Sequence, residues 1–172
     1  MAVLCEGISV VIKADRLIDA FGSFDVFREW VPNKTLAADN ELVRVGFMDP
    51  EDVQHFVQAL EARGLIYVEN SAAQDIVVID QMRGPMVQCD WVEFGKFPIE
   101  GHQVSVAHLS GSDLNELVTP EGWKLEGSLT QTFSFVPLKN RINPLKLLRA
   151  EDGLNVYLDP RTGKKLFLGK AK

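Results

Sequence analysis

The segment DQMRGPMVQCDWVEFG, residues 80–95, gathers a cysteine, a tryptophan, an arginine and several carboxylates, all of which are side chains that can perform chemistry. A cysteine nucleophile requires an activating base or a positive field, and no histidine lies near Cys89 in the sequence. If CDWVEF forms a strand, the alternation of side chains places Cys89 and Glu93 on one face and Asp90 on the other. We therefore expect Cys89 to be a structural residue.

The three histidines are the residues most suited to ligate a metal ion. His102 and His108 fall on the same face of the predicted strand HQVSVAHL, but residues six apart in a strand are separated by about 20 Å. A zinc ion lies only about 2 Å from its ligands, so it cannot bridge this pair. His55 follows Glu51 by four residues and Asp52 by three on a predicted helix, a spacing typical of an exposed ion pair. The sequence predicts no metal site.

No glycine-rich phosphate loop and no nucleophile-elbow motif occurs in the sequence, so we predict no cofactor and no catalytic activity. An enzyme is the first alternative: a hydrolase or transferase with its acid and base on the sheet face, formed by His102 with Glu93 or Glu100. The second alternative is a small-ligand-binding protein with a pocket between helices and sheet.

Helical signals are confined to the N-terminal half of the chain. Apolar residues keep helical spacing over residues 17–21, and Ser23 can cap a second helix that Pro32 ends. The strongest signal is DPEDVQHFVQALEARG, residues 49–64, which begins with an Asp-Pro capping pair and ends in a glycine. Its apolar stripe is formed by Val53, Phe56, Val57 and Leu60.

The other elements read as strands, because apolar and polar residues alternate between clusters of Gly, Pro, Asn and Asp. We predict strands at residues 8–13, 42–47, 65–68, 75–80, 89–94, 102–109, 128–136, 154–158 and 165–169. DPRTG, residues 159–163, has the composition of a hairpin loop. Early helices followed by strands predict an α+β fold: a mostly antiparallel β-sheet with two or three helices from the N-terminal half packed on one face.

The length of 172 residues is typical of one domain. We predict a single domain over residues 1–172, with a subdivision into a β/α-rich part, 1–70, and an antiparallel meander, 71–172, as the alternative. The two cysteines form no CxxC pair, and neither a cationic targeting segment nor a membrane-spanning apolar run is found. These features predict a cytoplasmic protein with free thiols and no membrane partner.

Charge is distributed unevenly along the chain, whose formal net charge is -6. Residues 1–138 contain 21 acidic and nine basic residues, whereas residues 139–172 contain three acidic and nine basic residues. Two interpretations stay open: the two parts attract each other within one fold, or the acidic part presents a field to a basic partner. The basic part offers few aromatic residues for base stacking, and the acidic part repels phosphate, so we do not expect nucleic-acid binding.

Small size, acidity and the lack of catalytic motifs are typical of bacterial immunity or antitoxin-like inhibitors, which neutralise a toxic enzyme by binding it. We therefore predict a protein-binding module whose partner is another protein of basic character, such as a nuclease. The predicted partner-binding residues lie on the outward face of the 49–64 helix and on the flanking acidic turns: Asp39, Glu41, Glu51, His55, Gln58 and Glu69.

Overall fold

The computed structural model describes residues 1–132 and the strands at 146–151, 154–158 and 165–169, with side chains over residues 1–130. The helices are α1 (Ala14–Phe21), α2 (Phe24–Trp30), α3 (Pro50–Ala62) and the short α4 (Leu129–Thr132). The strands are β1 (Ala2–Leu4), β2 (Ile8–Lys13), β3 (Ala37–Ala38), β4 (Leu42–Phe47), β5 (Val68–Glu69), β6 (Ala72–Ala73), β7 (Ile76–Asp80), β8 (Gly84–Pro85), β9 (Val92–Ile99), β10 (His102–Leu109), β11 (Leu117–Val118), β12 (Lys146–Glu151), β13 (Leu154–Leu158) and β14 (Lys165–Gly169).

The central sheet has five strands in the order β3-β4-β2-β7-β8, and every neighbouring pair in it is antiparallel. Helices α1, α2 and α3 pack on one face of this sheet. Alternate strand residues such as Val10 and Val43 point toward the helices and bury a core with Leu17, Phe27 and Leu60. The predicted fold class, α+β with N-terminal helices on one face of a mostly antiparallel sheet, is confirmed.

A second sheet packs on the opposite face of the central sheet. Its four strands have the order β11-β1-β10-β9, and only the β1–β11 pair is parallel. Val11 and Val77 of the central sheet meet Val3 and Val92 of the second sheet in one buried cluster. The sequence period of two identified the alternating faces of these strands, but it did not separate them into two stacked sheets.

Helices α2 and α3 begin after capping residues that the sequence contains, whereas α1 begins at Ala14 with no side-chain cap, before the predicted residues 17–21. The Ser23 hydroxyl accepts a hydrogen bond from the Val26 N–H at 3.2 Å and caps α2, and the Asp49 carboxylate caps α3. Helix α3 ends before Gly64, which adopts a φ of 96° that favours glycine. The apolar stripe predicted on this helix is buried. Within the part of the chain that the structure describes, no helix is both long and apolar enough to cross a bilayer.

The predicted strand at residues 65–68 is wrong except for its last residue, which belongs to the β5–β6 hairpin. The preceding residues form no strand, and Asp75 contacts them where a neighbouring strand was expected. Its carboxylate accepts a hydrogen bond from the Ile66 N–H at 2.9 Å, and its own N–H donates to the Ile66 carbonyl at 2.8 Å. The Asp75 carboxylate therefore satisfies the N–H of Ile66, and the Asp75 N–H satisfies its carbonyl, where a strand ladder was expected.

The predicted strand at residues 89–94 begins later and runs further, because β9 covers Val92 to Ile99. The segment before it is held by other contacts: the Trp91 indole N–H donates to the Ala73 carbonyl at 3.0 Å. Cys89 and Trp91 still pack together against the core between the two sheets. The predicted structural role of Cys89 agrees with this packing.

The predicted strand at 128–136 is wrong over the residues that form α4. The carboxylate of Glu6 accepts a hydrogen bond from the Thr130 N–H at 2.6 Å and caps this helical turn from a remote part of the chain. A local sequence pattern contains no information on such a distant cap. Residues 133–136 lie outside the described residues.

The last three strands form an antiparallel sheet in the order β12-β13-β14. Leu158 pairs with Lys165, so the predicted pairing of the final two strands is confirmed. The loop predicted between them, residues 159–163, lies outside the described residues.

Candidate functional site

The histidine and carboxylate pair on the sheet face involves a different histidine from the one predicted. In the β9–β10 ladder His102 pairs with Ile99, whereas Glu93 pairs with His108. Glu100 lies in the tight turn between the two strands, with a φ of 48°. The Nε2 atom of His108 lies 3.5 Å from a carboxylate oxygen of Glu93. The antiparallel register therefore corrects the predicted pairing of His102 with Glu93.

A serine extends this pair into a line of three groups, because the Nδ1 atom of His108 lies 3.1 Å from the Ser112 hydroxyl. The hydroxyl, however, donates its proton to the Leu109 carbonyl at 2.7 Å. A serine nucleophile must donate to its base, so Ser112 is bonded as a turn residue. Among the described residues, no group of three His, Cys, Asp or Glu side chains converges to hold a metal ion.

A buried arginine, Arg44, makes three hydrogen bonds between the two stacked sheets. The Arg44 guanidinium donates to the Ser9 hydroxyl at 2.9 Å, to the Thr35 carbonyl at 3.0 Å and to the Glu6 carbonyl at 2.7 Å. Burial lowers the pKa of Arg44 from its ordinary value, yet a guanidinium keeps its charge at neutral pH. The sequence signal for a buried arginine is the single charged residue, Arg44, within the otherwise apolar strand LVRVGF.

The side chain of Glu6 continues this polar network toward the segment that covers the second sheet. Its carboxylate accepts hydrogen bonds from the Trp123 indole N–H at 2.7 Å and from the N–H and hydroxyl of Thr130. Glu6 is 5% exposed, and every one of these contacts is internal. The network is therefore structural: it joins the two sheets and their covering segment.

The two cysteines lack the environment of a reactive thiol. Cys5 is fully buried, and burial raises the pKa of its thiol to about 12. Cys89 is half-buried, and burial raises the pKa of its thiol as well. A nucleophilic cysteine has a lowered pKa, so both thiols have the character of core residues.

The predicted partner-binding residues lie on separate elements of the fold. Glu51, His55 and Gln58 are exposed along α3, as its helical period requires. Glu41 and Glu69 are also exposed, but Glu41 adjoins Lys13 at the end of the sheet opposite the start of α3, and Glu69 lies in the β5–β6 hairpin.

The carboxylate of Asp39 has a structural role. Its carboxylate accepts hydrogen bonds from the N–H groups of Glu41 at 2.6 Å and Leu42 at 2.7 Å, and so it fixes the turn between β3 and β4. Asp39 and Glu41 therefore share one turn, whereas Glu51, His55 and Gln58 lie together on the exposed side of α3.

The outward sides of α1, α2 and α3 form a continuous layer, which we call the acidic helical face. It carries seven exposed carboxylates against three exposed arginines: Arg16, Arg28 and Arg63, which is the C-cap residue of α3. Within the described part of the chain only Asp19 of the seven is held in an ion pair, with Arg16 at 3.5 Å. The acidic residues are Asp15, Asp19, Asp25, Glu29, Glu51, Asp52 and Glu61.

An open pocket of about 530 Å³ lies in this face between α2 and α3. We call it the Trp30 pocket. The rings of Trp30 and Phe56 have centroids 5.4 Å apart, and those of Phe47 and Phe56 are 5.0 Å apart. Its volume is within the range of ligand pockets, about 300–1,000 Å³. The aromatic wall residues are Trp30, Phe47 and Phe56, and the polar rim residues are Asn33, Asp52 and His55.

Residues of α3 line the pocket because they follow one helical stripe. Asp52, His55, Phe56 and Ala59 have the spacing i, i+3, i+4, i+7. Each of them comes one position before a residue of the buried stripe. The helix therefore contributes one edge to the core and the adjacent edge to the pocket. The sequence predicted the buried edge, whereas the pocket edge and its partners Phe47 and Trp30 follow only from the tertiary fold.

Comparison of the chain with protein-family models, with curated protein sequences and with solved structures finds no significant match.

Proposed function

We propose that the acidic helical face binds a basic protein, and that the chain is a small inhibitor-like binding module whose target is a basic enzyme such as a nuclease. The observation that carries the proposal is the seven exposed carboxylates on one helical layer, of which one is ion-paired within the described residues. A surface of one charge accelerates the encounter with a partner of the opposite charge and disfavours partners of the same charge.

Two further features support a binding surface of this kind. Val26, on α2, is 47% exposed and gives the acidic helical face an apolar contact point. The Trp30 pocket supplies a concave aromatic feature, and buried aromatic contacts contribute more affinity to interfaces than charge does. The predicted residues Glu51, His55 and Gln58 belong to this surface, whereas Glu41 and Glu69 are peripheral to it. A cytoplasmic location is part of the proposal, because both thiols are free.

The competing interpretation is that the basic C-terminal part of the chain neutralises the helical face. Charge variants on two different surfaces separate the interpretations. The first variant combines Glu29→Gln, Glu51→Gln and Glu61→Gln on the helical face. The matched control combines Glu100→Gln, Glu116→Gln and Glu126→Gln, which are exposed positions outside α1–α3 and change the net charge by the same amount.

The experiment uses tagged wild-type protein and both variants to capture partners from lysate of the source cells at 50 and 300 mM salt. We expect wild type and control to retain one basic protein at low salt and to release it at high salt. With that purified partner, the association rate of the helical-face variant is expected to fall about tenfold, while the control changes less than about twofold. Equal rates for the two variants would contradict the proposal.

A further inference from the structure

We propose that the Trp30 pocket receives an arginine side chain of the basic partner. This inference rests on the proposed function and adds to it the chemistry of the partner's anchoring residue. The occupant is a planar guanidinium that stacks on the aromatic wall and pairs with the Asp52 carboxylate. The pocket lies within the acidic helical face. The proposed anchor, an arginine, therefore has the same positive charge that the proposed partner has as a whole.

The residues around the pocket match the two recognition features of a guanidinium. Its planar surface stacks on aromatic rings, and its fork of N–H groups binds a carboxylate in two-point fashion. Three aromatic residues form the wall, and Asp52 is the carboxylate on the rim. Asp52 is exposed, and no ion pair within 4 Å engages it among the described residues. Its charge is therefore accessible to a ligand.

The same aromatic cluster already binds guanidinium groups of its own chain. The guanidinium carbon of Arg63 lies 4.3 Å from the centroid of the Phe21 ring and 5.3 Å from that of Trp30. Arg28 stacks over Phe24 at 5.0 Å. These contacts show that aromatic rings of α1 and α2, Trp30 among them, accept the guanidinium of arginine.

An arginine is favoured over the other cationic and anionic groups of proteins by the shape and charge of the site. A lysine ammonium is a compact charge that remains strongly hydrated and cannot cover an aromatic face as a planar group does. A carboxylate or phosphate would meet Asp52 at the rim and Glu51 beside it, with like-charge repulsion. A purely apolar side chain would leave the Asp52 carboxylate without a partner.

The test uses N-acetyl-arginine methylamide as the probe, with the neutral citrulline analogue and the lysine analogue as comparisons. Titration at low salt is followed by NMR through the indole N–H signal of Trp30, which is assigned with a Trp30→Phe variant. We expect a saturable shift with the arginine probe, severalfold weaker binding of the lysine probe and no saturable shift with citrulline. An equal response to arginine and citrulline, or none to arginine, would overturn the inference.

Variants at two adjacent positions distinguish binding in the pocket from a general effect of the surface charge. Asp52→Asn is expected to weaken arginine binding about fivefold, whereas Glu51→Gln, which removes the same charge outside the pocket, is expected to weaken it less than twofold. Ala59→Met fills the pocket from the same helix and is expected to abolish the saturable shift. Equal effects of Asp52→Asn and Glu51→Gln would assign the binding to charge alone and overturn the inference.

The two proposals can fail separately. Capture of a basic protein without arginine binding at Trp30 would remove the pocket from the interface and leave the proposed function standing. Arginine binding without a basic protein partner would leave the pocket as an arginine site and overturn the proposed function.

Discussion

The Arg44 guanidinium donates a 2.7 Å hydrogen bond to the backbone carbonyl of Glu6, and the Glu6 carboxylate binds the Trp123 indole and Thr130 on its other side. These two residues therefore connect the central sheet, the loop between β1 and β2, and the segment that covers the second sheet. Arg44 is 3% exposed and Glu6 is 5% exposed, and the hydrogen bonds of both side chains are internal. Their role is to hold the layers in one arrangement.

Replacement of the buried arginine by an apolar side chain of similar length tests this role. Arg44→Met removes the donor of three hydrogen bonds to buried or partly buried oxygens, so we expect the free energy of unfolding to fall by about 3 kcal/mol or more. Urea denaturation measures the change. The matched control is Arg83→Met at an exposed turn, for which we expect a change within about 0.5 kcal/mol. Similar losses for both variants would contradict a structural role specific to Arg44.

The absence of a side chain at Gly46 leaves space for the guanidinium of Arg44. A Cβ atom added at this position would lie 2.7 Å from the Cζ atom of Arg44, so the arginine must move. We expect Gly46→Ala to lower the free energy of unfolding by about 1–3 kcal/mol, as overpacking does. At Gly95, in β9, an added Cβ would meet only Leu114 at 3.8 Å, and the same substitution there is the control.

A double variant separates this clash from a general effect of alanine. In the Arg44→Met background the obstructing guanidinium is absent, so Gly46→Ala is expected to cost less than it does in the wild type. The difference between the two costs is the coupling energy of the pair. Additive losses would refute the proposed contact.

The buried thiol of Cys5 predicts a loss of stability in alkaline solution. Its pKa is raised from 9.0 in the unfolded chain to about 12 in the fold, so the stabilisation is fully present below pH 9 and is lost as the pH rises toward 12. Between pH 8 and pH 10.5 the wild type should lose about 2 kcal/mol more of its unfolding free energy than Cys5→Ala. Urea denaturation at the two values measures this difference. Equal losses would show that the pKa of the Cys5 thiol is the same in the folded and the unfolded chain, and would contradict the prediction.

Apolar periodicity made α1, α2 and α3 predictable, and capping residues added to the signal for α2 and α3, because both signals are local. The Asp49 cap, the glycine after α3 and the buried stripe between them all lie within one short segment. The strands 8–13, 42–47, 75–80 and 102–109 were predictable for the same reason, since their alternation is a property of consecutive residues. Local signals are sufficient wherever local contacts decide the structure.

The errors fall where a distant group decides the local structure. Asp75 replaces a ladder at Ile66, and Glu6 caps the turn at Thr130 from the other end of the described chain. The Trp30 pocket has the same origin, because its wall combines residues from α2, β4 and α3. The register of β9 and β10 likewise determined which histidine meets Glu93. None of these relationships is contained in the spacing of neighbouring residues.

The central claim is that the acidic helical face is electronegative in solution and is not cancelled by the basic C-terminal part of the chain. The most direct measurement compares NMR relaxation enhancements of backbone amide protons by two nitroxide cosolutes of similar size, one cationic and one anionic. We predict a stronger enhancement by the cation than by the anion along α1, α2 and α3, and a smaller difference along the β9–β10 hairpin. Equal enhancements by the two cosolutes along the helices, or a larger one by the anion, would contradict the claim.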